Sequence, residues 1–168
     1  MIALFTALAA ASVARAAGWE MHDFETPLGD RGVSLMVPAI RVPDVHLALA
    51  CDGDTGNRWR GVAVVEEPNS RVGLGMSGAV RVGFGENFAR DNWAVRTTAA
   101  GRHVYTAPES TKLARRLASE DLKVTNARFT VEINGAGGRP VALTFPLEGL
   151  AAKIEKISER CDEWDIKP

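Results

Sequence analysis

Two cysteines, Cys51 and Cys161, are all that the 168 residues contain, so one disulfide is the most the chain can form. An excess of charge is missing as well. Twenty Lys and Arg face 21 Asp and Glu, a net charge of −1. Nothing in that balance points to nucleic acid or to an anionic membrane surface. Beyond the N-terminus there is no apolar stretch near the roughly 20 residues that a membrane-spanning helix needs. No Asn-x-Ser/Thr sequon occurs, which suits a bacterial envelope better than a eukaryotic secretory route. Internal repeats, low-complexity tracts and linkers are absent too. The three histidines, His22, His46 and His103, fall in different segments with no ligand spacing.

What is present begins with a leader. Ile2 to Val13 is an apolar and small-residue run, followed by the small-x-small triplet Ala14, Arg15, Ala16. That pattern is the h-region and cleavage site of a secretory signal peptide. It is expected to occupy residues 1–16, leaving 17–168 as a single periplasmic or secreted domain. No Lys or Arg precedes the h-region, so the amino terminus would be its only charge. No cysteine stands at the cleavage point, so no lipoprotein anchor is expected. Loss of Arg15 would leave 19 basic and 21 acidic residues, a charge of −2.

An oxidising compartment favours pairing the cysteines. Val45, Leu47, Leu49 and Cys51 share one face of an expected strand at period two. Leu150, Ile154, Ile157 and Cys161 share one stripe of an expected helix from 147 to 163. Each sulfur ends the apolar face of its own element. A helix packed on that sheet face would bring Cys51 and Cys161 together. The bridge would constrain the unfolded chain by about 4–5 kcal/mol on the loop-entropy account.

Strands outnumber helices. Short apolar runs predict strands at 33–37, closed by Pro38, and at 45–51, with 58–65 as the hairpin partner of the second. Runs 71–76 and 79–84 predict another pair, and 91–97 and 102–105 predict two more strands. Thr106 to Glu109 has the form of a capping box, with Pro108 suited to a first helical turn. Leu113 and Leu117 then lie four apart on a short middle helix. Strands are expected again at 121–125 and 127–133, with a break near Asn126 where the apolar parity flips. A glycine-rich hairpin loop, 134–138, leads to a partner strand carrying Val141, Leu143 and Phe145. The fold class is α+β: a mainly antiparallel sheet or β-sandwich, a short middle helix, and a C-terminal helix packed on the sheet.

Several patterns suggest chemistry, and simpler structural explanations fit most of them. Gly73, Gly75 and Gly78 match the spacing of a dinucleotide loop, but the segment that follows reads as strand where the motif needs a helix. A glycine-rich turn is expected instead. Ser77 lacks the second glycine of a nucleophile elbow, since Ala79 stands there. Asp52, Asp54 and Asn57 resemble half of a calcium loop. Position twelve is Ala63 where a bidentate Glu belongs, so turn chemistry is the first explanation. The segment from His22 to Glu25 reads as solvated, and His46 as a polar edge position. Arg115 and Arg116 read as a solvated helix face. Trp59 flanked by Arg58 and Arg60 is the best candidate binding surface.

The order of features resembles the small periplasmic accessory proteins of type VI secretion systems, the VasI type. Trp19 lies near the mature start, and Leu47 to Cys51 is an apolar strand ending in cysteine. Val80 to Phe84 leads by a loop to Trp93. A short helix precedes Leu143 to Leu150, and a last helix runs to Cys161. The likeness covers most of the mature chain. It implies a role in the envelope through protein or cell-wall contacts, and it carries over no catalytic residue.

The expected function is therefore a non-catalytic, exported binding or assembly protein of the bacterial envelope. A secretion-system accessory is its specific form, and the partner is an envelope protein or cell-wall component. No cofactor, nucleic acid or membrane span after leader removal is expected. The alternative is a small secreted hydrolase or enzyme inhibitor.

Overall fold

The computed structural model describes residues 18–25, 31–52 and 60–160. Ten strands and two helices occur among them. The leader, residues 53–59 and everything from Cys161 onward lie outside the described residues.

β1 (Glu20–Glu25), β2 (Arg31–Ala39), β3 (Val42–Asp52) and β4 (Arg60–Glu66) form an antiparallel meander. β8 (His103–Thr106) and β7 (Ala94–Thr97) extend it to a six-stranded sheet in the order β1-β2-β3-β4-β8-β7. A second sheet of four strands runs β10-β9-β5-β6. Its members are β5 (Ala79–Phe84), β6 (Asn87–Asn92), β9 (Arg128–Asn134) and β10 (Pro140–Pro146). The helices are α1 (Ser110–Lys123) and α2 (Leu150–Arg160). This is the expected α+β architecture, mostly antiparallel sheet with one middle and one terminal helix.

One core joins these parts. From the larger sheet come Leu35, Leu47, Leu49, Val62 and Val64, all fully buried. Phe129, Val131, Ile133, Leu143 and Phe145 meet them from the smaller sheet. β10 contacts β2 and β3, α1 contacts β4, and α2 contacts β2 and α1. The second sheet and both helices therefore cover one face of the larger sheet. The apolar stripe of α2 is buried as its spacing predicts, through Leu150, Ile154 and Ile157.

Several local expectations are corrected. Pro38 does not close β2. It pairs with His46, and a register shift follows between Pro38 and Ala39. Residues 71–76 form no strand. They belong to a loop that crosses between the sheets and touches strand geometry at the Leu74–Gly135 bridge. β5 pairs with β6 and β9 instead. The segment 91–97 is two strands in different sheets, because Asn92 pairs with Ala79 and Ala94 with Thr106. Trp93 is the corner between them. Its ring is buried, its Nε1–H donates to Asp91 Oδ2 at 2.9 Å, and its N–H donates to the Gly78 carbonyl at 2.7 Å.

The capping box does not form. Thr106 ends β8, Glu109 is the N-cap, and no side chain caps α1. Ser110 takes over the local hydrogen bonding. Its Oγ donates to the Ala107 carbonyl at 2.7 Å and accepts from the Val62 N–H at 3.0 Å, so it ties the helix start to β4. α1 also runs through 121–123, where a strand was expected. Asp121 has a reason to be helical, since its carboxylate accepts from the N–H groups of Gly149 and Ala151, at 3.2 and 2.9 Å. It caps α2 from a neighbouring helix. The break at Asn126 is present as a left-handed residue, φ 56°.

Candidate functional site

The outer face of the six-stranded sheet carries a groove of about 860 Å³. Register explains its shape. One row across the sheet runs Glu20, Met36, Ala48, Ala63, and the next runs His22, Ser34, Ala50. A third runs Pro38, His46, Val65, Val104. Side chains of one row stand on the same face, so three alanines at the centre leave a depression among taller neighbours. Thr98, Ala100 and Arg102, around the turn before β8, wall one end. The floor alanines are only 3–7% exposed, although among the described residues no helix or strand lies over them.

Polar groups gather at the rim. Arg102 Nη2 lies 3.3 Å from Glu67 Oε2, and Glu67 Oε1 lies 3.9 Å from His46 Nδ1. Glu20 Oε2 lies 3.7 Å from His22 Nε2. Burial is the main cause that pushes the His46 pKa below 6.5, against the attraction of Glu67. His46 Nδ1 is one of two buried polar side-chain atoms among the described residues with no hydrogen-bond partner; Trp19 Nε1 is the other. His46 is not at an edge, because β3 lies between β2 and β4.

A second polar cluster occupies the opposite face of the same sheet. Glu66 is 3% exposed. Its Oε2 lies 2.8 Å from His103 Nδ1, and a carboxylate can only accept, so Nδ1 carries the proton. Its Oε1 accepts from the Leu74 N–H at 3.1 Å. Tyr105 donates its hydroxyl to the Gly75 carbonyl. Burial first, and Glu66 second, push the Tyr105 pKa up to about 12. These groups hold the crossing loop against β4 and β8.

The structure separates the residues singled out in the sequence. His22 and His46 share the groove, while His103 faces the core side. Ser77 is exposed, and its Oγ accepts from the Ala79 N–H at 3.3 Å in a local turn. Gly75 and Gly78 serve close approach. A Cβ would stand 2.8 Å from the Asn134 carbonyl oxygen at Gly75, and 2.2 Å from that of Trp93 at Gly78. Strand β5 begins at Ala79, directly after the last glycine. The segment from His22 to Glu25 is part of strand β1, with His22 and Asp23 exposed as expected of a solvated segment. Arg116 lies 4.5 Å over the Phe84 ring, so it is a packing residue as well as a charge.

Cys51 ends the inward row of β3 and is 1% exposed; no cysteine among the described residues is free. Its expected partner Cys161 lies outside the described residues. So do Asp54, Asn57, Arg58 and Trp59, and with them the calcium-loop and Arg-Trp-Arg candidates. Asp52 and Arg60 are placed only as the ends of β3 and β4. Among the described residues no three His, Cys, Asp or Glu side chains are grouped to hold a metal, and no helix is long and apolar enough to cross a membrane.

The groove is the feature that sequence reasoning missed. Its trace was the alternation of His46, Ala48 and Ala50 with the apolar residues of β3. Small residues on the off-face of a strand mark a floor only when the next strand, with Ala63, is in register.

These features define a class: a two-sheet antiparallel α+β domain with two helices and an open groove on the larger sheet. No model of a known protein family matches the chain, and no curated protein matches it. The fold is similar to the crystal structure of invasion associated protein B from Bartonella henselae, with a TM-score of 0.54 and 14% identity. The match covers 86% of this chain and 94% of that one. At that identity the likeness is one of fold.

Proposed function

We propose that this chain is exported to the bacterial envelope, loses residues 1–16, and acts there as a non-catalytic binding or assembly protein. The outer face of its larger sheet is the binding surface. The observation that carries this reading is the groove floor of Ala48, Ala50 and Ala63, a concave and mainly apolar surface with charged groups at its rim. The reactive side chains are committed elsewhere. Ser77 Oγ serves its own turn, and His103 is held by Glu66 on the far face. The secretion-accessory form of the role is supported by the order of Trp19, the strand that carries Cys51 near its end and the helix that follows Leu147.

A disulfide between Cys51 and Cys161 belongs to the same proposal. Cys51 is buried at the end of its row, the stripe of α2 is buried through Ile157, and Cys161 stands four residues further on in the sequence. An oxidising compartment supplies the chemistry.

Two measurements test the reading together. Cell fractionation with N-terminal sequencing is expected to find the protein in the periplasm or medium, starting at Ala17. A photo-crosslinking residue at Ala48 is expected to capture an envelope component that the same residue at exposed Leu122 does not. An unprocessed cytoplasmic protein, or equal capture from both positions, would overturn it.

A further inference from the structure

The smaller sheet has two edges, and the chain treats them differently. At the β10 edge, the Gly135 N–H donates to the Arg139 carbonyl at 2.8 Å. That bond sets the parity of the ladder. Val141, Leu143 and Phe145 bond to β9, while Pro140, Ala142, Thr144 and Pro146 turn their backbone groups outward. The two prolines have no N–H to offer, and the Thr144 carbonyl already accepts from the Ile40 N–H at 2.7 Å. Prolines and a covering turn blunt an edge against further strands. β6 has neither. The Trp93 N–H donates to the Gly78 carbonyl at 2.7 Å, and the same register runs back through Asp91, Ala89 and Asn87. Phe88 and Arg90 therefore aim their N–H and C=O groups away from the sheet. Asn92 aims its carbonyl the same way, while its N–H donates to Asp91 Oδ1 at 2.8 Å. Among the described residues nothing bonds the outward groups of Phe88 and Arg90.

A crevice of about 200 Å³ opens beside this edge, between β6 and α1. Val82, Ala89, Ala107 and Leu113 give it apolar walls. Ala89 and Val82 are a cross-strand pair on the face toward α1. A strand added to β6 would send the side chain opposite Ala89 into the crevice, and its two neighbours would stand on the outer face. One of them meets Phe88, whose ring fills the place of a side chain at Gly83 and has Arg81 5.1 Å over it. The other meets Arg90. The outer row holds Arg90, Arg81 and Glu132, and Glu132 lies 2.6 Å from Arg81, so two guanidinium groups share one carboxylate. The rows beside it, through Phe88, Gly83 and Thr130 and through Asn92 and Ala79, carry no charge. Glu86 stands four residues away in the turn. On the α1 side, Asp91 accepts from Trp93 Nε1–H at 2.9 Å, and Glu109 lies 3.0 Å from Lys112.

We propose that the edge of β6 is a strand-addition site. An extended segment of a partner protein pairs antiparallel with Phe88 to Asn92, places an aliphatic side chain in the crevice against α1, and sets an acidic one opposite Arg90. Main-chain hydrogen bonds supply the attachment, and the crevice and Arg90 supply the selectivity. This surface is separate from the groove of the larger sheet, and the inference does not depend on the role of that groove.

The probe is a capped peptide, Lys-Thr-Glu-Val-Leu-Thr-Lys, whose Glu, Val and Leu fall opposite Arg90, Ala89 and Phe88 in the antiparallel register. Titration followed by amide shifts of the labelled protein is expected to move Phe88, Arg90 and Leu113 and to leave Ala48 and Ala50 in place. N-methylation of the peptide's Glu and Leu removes the donors that face β6 and is expected to weaken binding at least tenfold. N-methylation of its Val, whose N–H faces away, is expected to change little. Arg90→Pro removes an outward N–H and keeps the ladder to β5, so binding is expected to be lost with the urea midpoint nearly unchanged. Arg90→Gln is expected to weaken binding only several-fold. Should the proline variant fail to fold, the methylated peptides still decide, because they leave the protein unaltered. Sedimentation is expected to show a monomer. A dimer that Arg90→Pro dissociates would mean that a second copy takes this edge, and it would overturn the proposal. So would shifts that map away from β6, equal affinity for the parent peptide and both methylated forms, or no shift at the highest soluble concentration.

Discussion

Glu66 joins three segments through two oxygens. It sits at the end of β4, holds His103 on β8, and accepts from Leu74 in the crossing loop. Glu66→Leu removes both acceptors and leaves a buried N–H without a partner. It is expected to lower stability by about 1–3 kcal/mol in urea unfolding, the penalty for an unsatisfied buried group. An unchanged midpoint would show that the loop is held by other contacts. His46 makes a prediction of opposite character. Its folded pKa lies below 6.5, so the unfolded chain takes up the proton first as pH falls. Its contribution is complete above the unfolded value of 6.5 and is lost as pH drops through the lower folded value. Melting temperature is therefore expected to fall more steeply below pH 6.5 in the wild-type protein than in His46→Gln. Parallel curves for the two proteins would remove the role of burial. Neither residue was legible in the sequence. His46 looked like a polar edge position and Glu66 fell just past the expected strand 58–65, and a side chain's worth here depends on which backbone groups another segment brings to it.

Elements show where local signals prevail and where they fail. The stripes of β3 and α2 were legible because burial repeats at the period of the backbone. The start and end of α1 were not. Thr106 has the right spacing for a cap, yet pairing with Ala63 and Ala94 holds it in β8. Sheet hydrogen bonds override a cap worth about 1 kcal/mol. Residues 121–123 continue the helix because Asp121 has work at the start of α2. Asp121→Ala is expected to destabilise the protein by about 0.5–2 kcal/mol, as loss of an N-cap does. Hydrogen exchange is expected to quicken first in the opening turn of α2. Protection unchanged at Gly149 and Ala151 would contradict the capping role. Gly78 makes a stricter demand. Its Cβ would stand 2.2 Å from the Trp93 carbonyl oxygen, at the corner where the chain changes sheets. Gly78→Ala is expected to cost at least the roughly 1–3 kcal/mol typical of overpacking. A fully stable alanine variant would mean that the corner is loose. Gly75 and Gly78 thus have a steric reason to be there, and Gly73 a conformational one, its φ of +62°, although their spacing matched that of a phosphate loop.

For the whole molecule, the proposed bridge decides how α2 is held. α2 packs beside β2 and α1, its stripe is buried as far as Ile157, and the same spacing in the sequence next falls on Cys161. Intact mass after alkylation without reductant is expected to show no added groups, and two after reduction. Two alkylated thiols in the unreduced secreted protein would sink the bridge. Cys51→Ser is expected to cost about 2–5 kcal/mol, as removal of a native disulfide does.

The sequence by itself determined the elements whose burial is periodic, the α+β class, and the apolar faces that form the core. Those properties depend on neighbours one to four residues away. Only the tertiary structure decided that residues 91–97 divide between two sheets, that three alanines from two strands make one floor, and that His22 and His46 line one groove while His103 faces away. Strand order and register bring residues tens of positions apart into one row. The energy that selects a register is summed over the entire core, so no local pattern records it. The two cysteines draw on both levels: the inward face of Cys51 was legible in the sequence, and whether Cys161 meets it depends on how the last helix is seated.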